Sequence, residues 1–208
     1  MSKLYILGNG GYAQEIFEQI ILRNTKTIFG GFIILKDDKA FVINDEGIEP
    51  FTYESTASFI LGTGNNKWRS IFLLHFFKYY KADINHFPNV SATNSYISLT
   101  AQLGIGNVFN CNSVVTANAK IGNFNCFNLF TSVAHDVVVG DYNNMSPYAT
   151  LLGHSSLGNY NFLASKVCIT PKVSIGSYNT ISAGECVFDD MTDREFFQSG
   201  IITKKPVK

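Results

Sequence analysis

Four histidines, His75, His86, His135 and His154, offer this chain acid–base chemistry near neutral pH, and their settings differ. His135 is followed directly by Asp136. An imidazole can take a proton near pH 7 while a carboxylate holds its other ring N–H and fixes the tautomer. In a straight strand adjacent side chains point to opposite faces, so this pairing requires the backbone to turn at His135. Gly153 stands eighteen residues beyond His135, and His154 eighteen beyond Asp136. His75 falls in an apolar segment and His86 in a connection, where structural roles are expected. A second candidate is the run Gly8-Asn9-Gly10-Gly11-Tyr12-Ala13, in which Gly8, Gly10 and Ala13 fit the G-x-G-x-x-G/A pattern. Backbone N–H groups of such a loop can hold phosphate at a helix N-terminus, although the pattern alone is a weak signal.

The element that must position His135 is a repeat. Large apolar residues recur every six positions from Ile97 through Phe109, Val133, Leu151 and Ile169 to Val187 without a break. A period of eighteen is overlaid on it: Gly104, Gly122, Gly140, Gly158 and Gly176; Asn107, Asn125, Asn143, Asn161 and Asn179; Phe124, Tyr142, Tyr160 and Tyr178. Nested periods of this kind mark a parallel β-helix in which three hexads close one triangular coil. Residues eighteen apart then stack roughly 4.8 Å apart. The apolar column fills the prism, the Asn column can form an amide ladder, and the glycines are expected in corner conformations that a β-carbon would oppose. A β-sandwich predicts two-residue alternation instead. From Asp189 the pattern stops, and Met191–Phe197 is expected to form a short helical turn over the open end.

The segment before the repeat reads as a half-Rossmann-like α/β domain. Its strands are expected at Lys3–Leu7, Ile28–Leu35 and Ser58–Leu61, and its helices after the glycine loop and over about Lys67–Lys81. The expected division is a nucleotide-sugar-binding domain at 1–85, a β-helix at 86–190 and a cap and basic tail at 191–208. There is room for one mononucleotide half, which suits a single nucleoside diphosphate.

Net charge is zero and charged residues make up 15% of the 208, so no nucleic-acid or anionic-membrane footprint is expected. The aromatic-rich, charge-poor composition suggests surface buried between subunits. The four cysteines, Cys111, Cys126, Cys168 and Cys186, form no C-x-x-C pair and read as small residues on a solenoid in a reducing compartment. No apolar run reaches membrane length and no leader is visible, so a cytoplasmic location is expected. A zinc enzyme of the γ-carbonic anhydrase type needs three His ligands, whereas only His135 and His154 lie on these coils; no metal is expected.

A glycine loop, the Gly64-Asn65-Asn66 segment and the hexapeptide β-helix together resemble the nucleotide-sugar acetyltransferases, in the branch that N-acetylates bacillosamine or perosamine precursors and includes sialic-acid O-acetyltransferases. The resemblance implies a homotrimer of left-handed β-helices and acetyl-CoA as co-substrate. It also implies an acceptor amino sugar linked to a nucleotide. It makes His135 the catalytic base, Asp136 its partner and the Gly153 N–H a donor to the thioester carbonyl, and it puts Ser165 and Ala183 on the pantetheine arm. Gly8, Asn9, Gly10, Gly11, Tyr12, Asp37, Asp38, Gly64, Asn65 and Asn66 would bind the nucleotide sugar, with Arg69 near a phosphate. The chain departs from the family at Tyr12, where relatives often carry His, and at Tyr142-Asn143-Asn144, where a second His is common. It departs again at Gly200-Ile201-Ile202-Thr203-Lys204, in place of Gly-Val-Pro-Ala-Lys. Two alternatives remain: O-acetylation of a sialic acid or related sugar, and a non-catalytic sugar-nucleotide-binding scaffold.

Overall fold

The computed structural model describes residues 3–21 and 27–204 and falls into two compact units that meet at Thr93 and Asn94. The rest of the basic tail, 205–208, lies outside the described residues.

The first unit is built on β1 (Lys3–Leu7), β2 (Ile28–Lys36), β3 (Lys39–Asn44), β4 (Gly47–Pro50) and β5 (Ser58–Leu61), in the order β4-β3-β2-β1-β5. β1 runs parallel to both β2 and β5, and its Leu4–Leu7 stretch is buried, as a strand covered on both faces must be. β3 and β4 add an antiparallel edge that sequence reasoning did not anticipate. Its cue was Asp37-Asp38. Both residues take positive φ (49° and 53°) and make the two-residue turn that joins Lys36 to its partner Lys39. Helix α1 (Gly11–Ile16) continues as a π-helix over Phe17–Ile21, burying Ala13, Ile16, Ile20 and Ile21. Helix α2 (Asn66–Tyr79) is capped by Asn65, whose side chain accepts from the Lys67 and Trp68 N–H groups at 3.0 and 3.3 Å. It stops short of the expected Lys81, which takes φ 52°.

The second unit is a left-handed parallel β-helix. Its two-residue strands stack in three sheets with an eighteen-residue register, as in Val115↔Val133↔Leu151↔Ile169↔Val187. From Phe109 to Val187 no residue of the inward column is more than 4% exposed. The Asn ladder forms as expected: Asn143 donates both its backbone N–H (2.8 Å) and its amide (3.1 Å) to Asn125 Oδ1. Its amide also reaches the Gly158 carbonyl at 2.8 Å.

The corners require a correction. Gly104, Gly122, Gly140, Gly158 and Gly176 do not take positive φ; that conformation belongs to every sixth residue from Gly106 through Asn112, Asn118, Phe124 and onward to Tyr178 and Gly184. The column glycines are needed because the next coil crowds them. A β-carbon on Gly140 would lie 2.3 Å from Asn159 Oδ1 and 2.8 Å from the Gly158 carbonyl oxygen. That crowding comes from a second side-chain ladder, in which Asn123, Asp141 and Asn159 accept from the backbone N–H one coil below. At the left-handed corners a bulky side chain costs about 1–2 kcal/mol. The expense is offset by stacking: Tyr142–Tyr160 and Tyr160–Tyr178 have centroids 4.6 and 5.0 Å apart. From Phe124 to Gly184 each corner N–H also bonds to the coil below, as Tyr142 does to Asn123 O at 2.9 Å.

The C-terminal end differs from expectation as well. Met191–Phe197 forms no helical turn. The chain makes one more coil with a sixteen-residue step: Met191 bridges Ile175, and Phe196 and Phe197 pair with Thr180 and Ile181. Met191 and Phe197 are six apart and both buried, so the hexad resumes after losing two residues. Glu195–Gln198 then pairs antiparallel with Ile201–Lys204.

Candidate functional site

His135 and Asp136 lie at one corner of the solenoid. The turn that their pairing demands is the left-handed conformation of Asp136, φ 59°. It swings the carboxylate back so that Asp136 Oδ2 lies 2.9 Å from His135 Nδ1. The other oxygen, Oδ1, accepts from Asn118 Nδ2 at 3.2 Å. Asn118 occupies the same corner one coil below, where its own N–H is fixed by Thr100 Oγ1 at 3.0 Å. His154, the same corner one coil above, brings Nε2 to 3.9 Å from Asp136 Oδ2, within ion-pair reach but beyond a hydrogen bond. Hydrogen bonds from His135 and then Asn118, with the nearby imidazoles, hold the Asp136 carboxyl below the usual aspartate range. It is therefore ionised at neutral pH and fit to orient an imidazole.

The His135 ring lies over Gly153. A β-carbon there would meet His135 Cε1 and Nε2 at 2.7 Å each. Gly153 O accepts from Lys172 N at 3.2 Å. Ser165 and Ala183 stack on a different corner, where Ser165 O accepts from Gly184 N at 2.9 Å. The face carrying Ser132, Thr150 and Cys168 separates them from Gly153.

In the first unit a cleft of about 620 Å³ opens at the carboxyl ends of the parallel strands, the switch point of an open α/β sheet. Gly8, Asn9, Gly10, Gly11 and Tyr12 follow β1, and Gly64 and Asn65 follow β5; all line it. Gly8 takes φ 114°, and a β-carbon there would lie 3.1 Å from the Gly62 carbonyl oxygen, so a side chain would be both strained and crowded. Ile34, Leu35, Trp68 and Phe72 supply an apolar wall that sequence reasoning missed. Asp37 and Asp38 do not line this cleft; they border a second hollow with His75, Lys78 and Trp68. Asn66 opens α2 beside the cleft without lining it, and Arg69 is buried on α2 at 1% exposure. His75 is also buried, and desolvation lowers its pKa against the opposing charge of Asp38. Asn118 was missed too; its signal was the eighteen-residue step back from Asp136.

No family model matches the sequence, and no curated protein matches it. Solved structures do. The perosamine N-acetyltransferase of Caulobacter crescentus, solved with CoA and GDP-perosamine, superposes at TM-score 0.76 with 20% identity, over 94% of this chain and 93% of that one. The acetyltransferase domain of PglB from Neisseria gonorrhoeae, solved with acetyl coenzyme A, gives 0.76 at 22% identity, covering 93% and 94%. WeeI from Acinetobacter baumannii gives 0.63 at 18%, covering 94% and 96%. These likenesses establish a shared architecture from end to end: an α/β unit followed by a hexapeptide solenoid.

Proposed function

We propose that the protein transfers acetyl from acetyl-CoA to the amino group of a nucleotide-linked amino sugar. The observation that carries this reading is the 2.9 Å His135–Asp136 contact at a solenoid corner, with the imidazole over Gly153. The similar proteins solved with CoA, acetyl-CoA and GDP-perosamine support it. With Nδ1–H held by Asp136, Nε2 keeps a free lone pair for the proton of the attacking amine. The amine nitrogen bonds to the thioester carbon, the C–S bond breaks, and the amine's proton passes through His135 to the departing thiolate. The Gly153 N–H would donate to the carbonyl oxygen as charge builds there, and backbone at Ser165 and Ala183 would hold the pantetheine. The diphosphate would lie against the glycine loop Gly8–Gly11 with Tyr12, Gly64, Asn65 and Asn66 around it. Asp37, Asp38 and Arg69 would act at its margins. We infer a homotrimer working in the cytoplasm, where acetyl-CoA is supplied; among the described residues no helix is long and apolar enough to cross a membrane.

The test is thiol release from acetyl-CoA against UDP-, dTDP- and GDP-linked amino sugars, with product mass as confirmation and sedimentation for the oligomer. Turnover with a 4-amino sugar and none with its hydroxyl analogue is expected, together with a loss of about 10²-fold in His135→Ala. Turnover only with a hydroxyl acceptor would make the enzyme an O-acetyltransferase. Nucleotide-sugar binding without thiol release would leave a scaffold.

A further inference from the structure

We propose that His135, Asp136 and His154 form a site for a divalent transition metal of the zinc class, and that metal bound there blocks proton transfer by His135. The three side chains each present one ligand atom, and those atoms all lie within 4.8 Å of one another. Zinc bonds of about 2.05 Å to nitrogen or oxygen set tetrahedral ligand atoms roughly 3.3 Å apart. The observed separations on Asp136 Oδ2, 2.9 Å to His135 and 3.9 Å to His154, bracket that edge. To close the set His154 must approach the carboxylate by about 0.6 Å, and the two histidine nitrogens, within 4.8 Å of each other, must draw in by up to about 1.5 Å, movements that rotation of exposed side chains can supply. The His135 and His154 side chains are 58% and 55% exposed, so an ion has open access and water can complete its coordination.

The surroundings support coordination rather than mere proximity. Asn118 already fixes the second carboxylate oxygen, which is how an outer hydrogen bond orients a ligating carboxylate. The two rings meet edge to face, 5.1 Å between centroids and 85° between planes, and do not stack. One feature weakens the site. Lys120 shares a polar hollow with Asn118 and Asp136, and its charge opposes a second cation. Micromolar rather than nanomolar affinity is therefore expected. Metal on His135 Nδ1 takes the lone pair at that nitrogen, and the proton now shared with Asp136 moves to Nε2. Nε2 then carries the N–H and has no lone pair with which to accept the amine's proton. Metal binding stands independently of the proposed acetyl transfer; the inhibition rests on it.

The test uses the metal-free full-length protein titrated with Co²⁺, read by its visible d–d absorption, then with Zn²⁺ in competition. Two variants accompany it: His154→Ala, and Cys168→Ser with Cys186→Ser, because that cysteine pair faces itself across adjacent strands. Expected is a single Co²⁺ per chain, displaced by Zn²⁺, with affinity reduced about tenfold or more in His154→Ala and unchanged in the cysteine variant. Zinc inhibition of thiol release should weaken in parallel in His154→Ala, with circular dichroism confirming that the variant folds. Absence of a Co²⁺ signal up to millimolar metal, or loss confined to the cysteine variant, overturns the site. Metal binding without inhibition overturns the blocking role. A metal signal in a protein that releases no thiol with any acceptor would sink the acetyltransferase reading and leave the site standing.

Discussion

Replacing Gly153 by alanine isolates what the solenoid does for His135. Gly153 does not take positive φ, so alanine fits its backbone, and losing glycine's unfolded-state freedom favours folding by about 0.4–1 kcal/mol. The cost falls on the imidazole. The new methyl would sit 2.7 Å from Cε1 and Nε2, whereas carbon contacts settle at about 3.5 Å, so the ring must move by roughly 0.8 Å. It can do so cheaply, being 58% exposed, and the melting temperature should shift by no more than about 2 °C. A displacement of that size breaks the 2.9 Å bond to Asp136 and takes Nε2 off the amine, and misplacement by about 1 Å costs about 10²-fold in rate. Thiol release at saturating substrate is the assay, run in the wild-type and His135→Ala backgrounds. If Gly153→Ala acts by displacing the imidazole, it should be nearly silent once His135 is gone. A second full hundredfold loss in that background would refute the reasoning and show that the methyl acts apart from the imidazole, by blocking the thioester's approach to the Gly153 N–H.

Gly140→Ala should do the opposite. Its methyl meets backbone at 2.8 Å in the next coil, and overpacking of about 1–3 kcal/mol should lower the melting temperature by roughly 5 °C while leaving the rate per folded molecule intact. Asn143→Ala strands the Asn161 N–H and the Gly158 carbonyl inside the wall, and chemical denaturation should show a loss of about 2–4 kcal/mol. His75 has a buried Nε2 without a hydrogen-bond partner and a pKa pushed below its ordinary 6.5. The unfolded chain therefore binds the extra proton, so the stability this residue confers is present above pH 6.5 and is lost as pH falls through the folded value. Fluorescence of Trp68, the sole tryptophan, should report a melting point that drops between pH 7.5 and 5.5 in the wild type and much less in His75→Phe.

The repeat was readable because each apolar residue serves the same prism, so one rule is sampled sixteen times between Ile97 and Val187. What it concealed was the backbone between those residues. Aromatic side chains at left-handed φ violate local preference, and only their stacking on the neighbouring coil explains them; a single coil carries no trace of it. The column glycines were legible as a column but misread in cause, since the crowding atom belongs to a residue nineteen positions on. His135 and Asp136 were adjacent in sequence and easily paired, whereas Asn118 entered the site only through the coil register. Asp37, Asp38 and Arg69 satisfied a motif by order along the chain, but a tight hairpin and burial set them away from the cleft lining.

A parallel coil offers its open end as a template for another copy of itself, and five nearly identical rungs would invite stacking into fibres. The sixteen-residue final coil answers this. It continues two walls, at Met191 and at Phe196 and Phe197, while the third ends at Cys186–Val187, so the last coil presents no complete triangle to an incoming rung. The reversed strand Ile201–Lys204 then presents an edge of opposite direction, against which no further turn of this helix can register. Completing that triangle and deleting the reversed strand would leave a molecule with no instruction to stop growing.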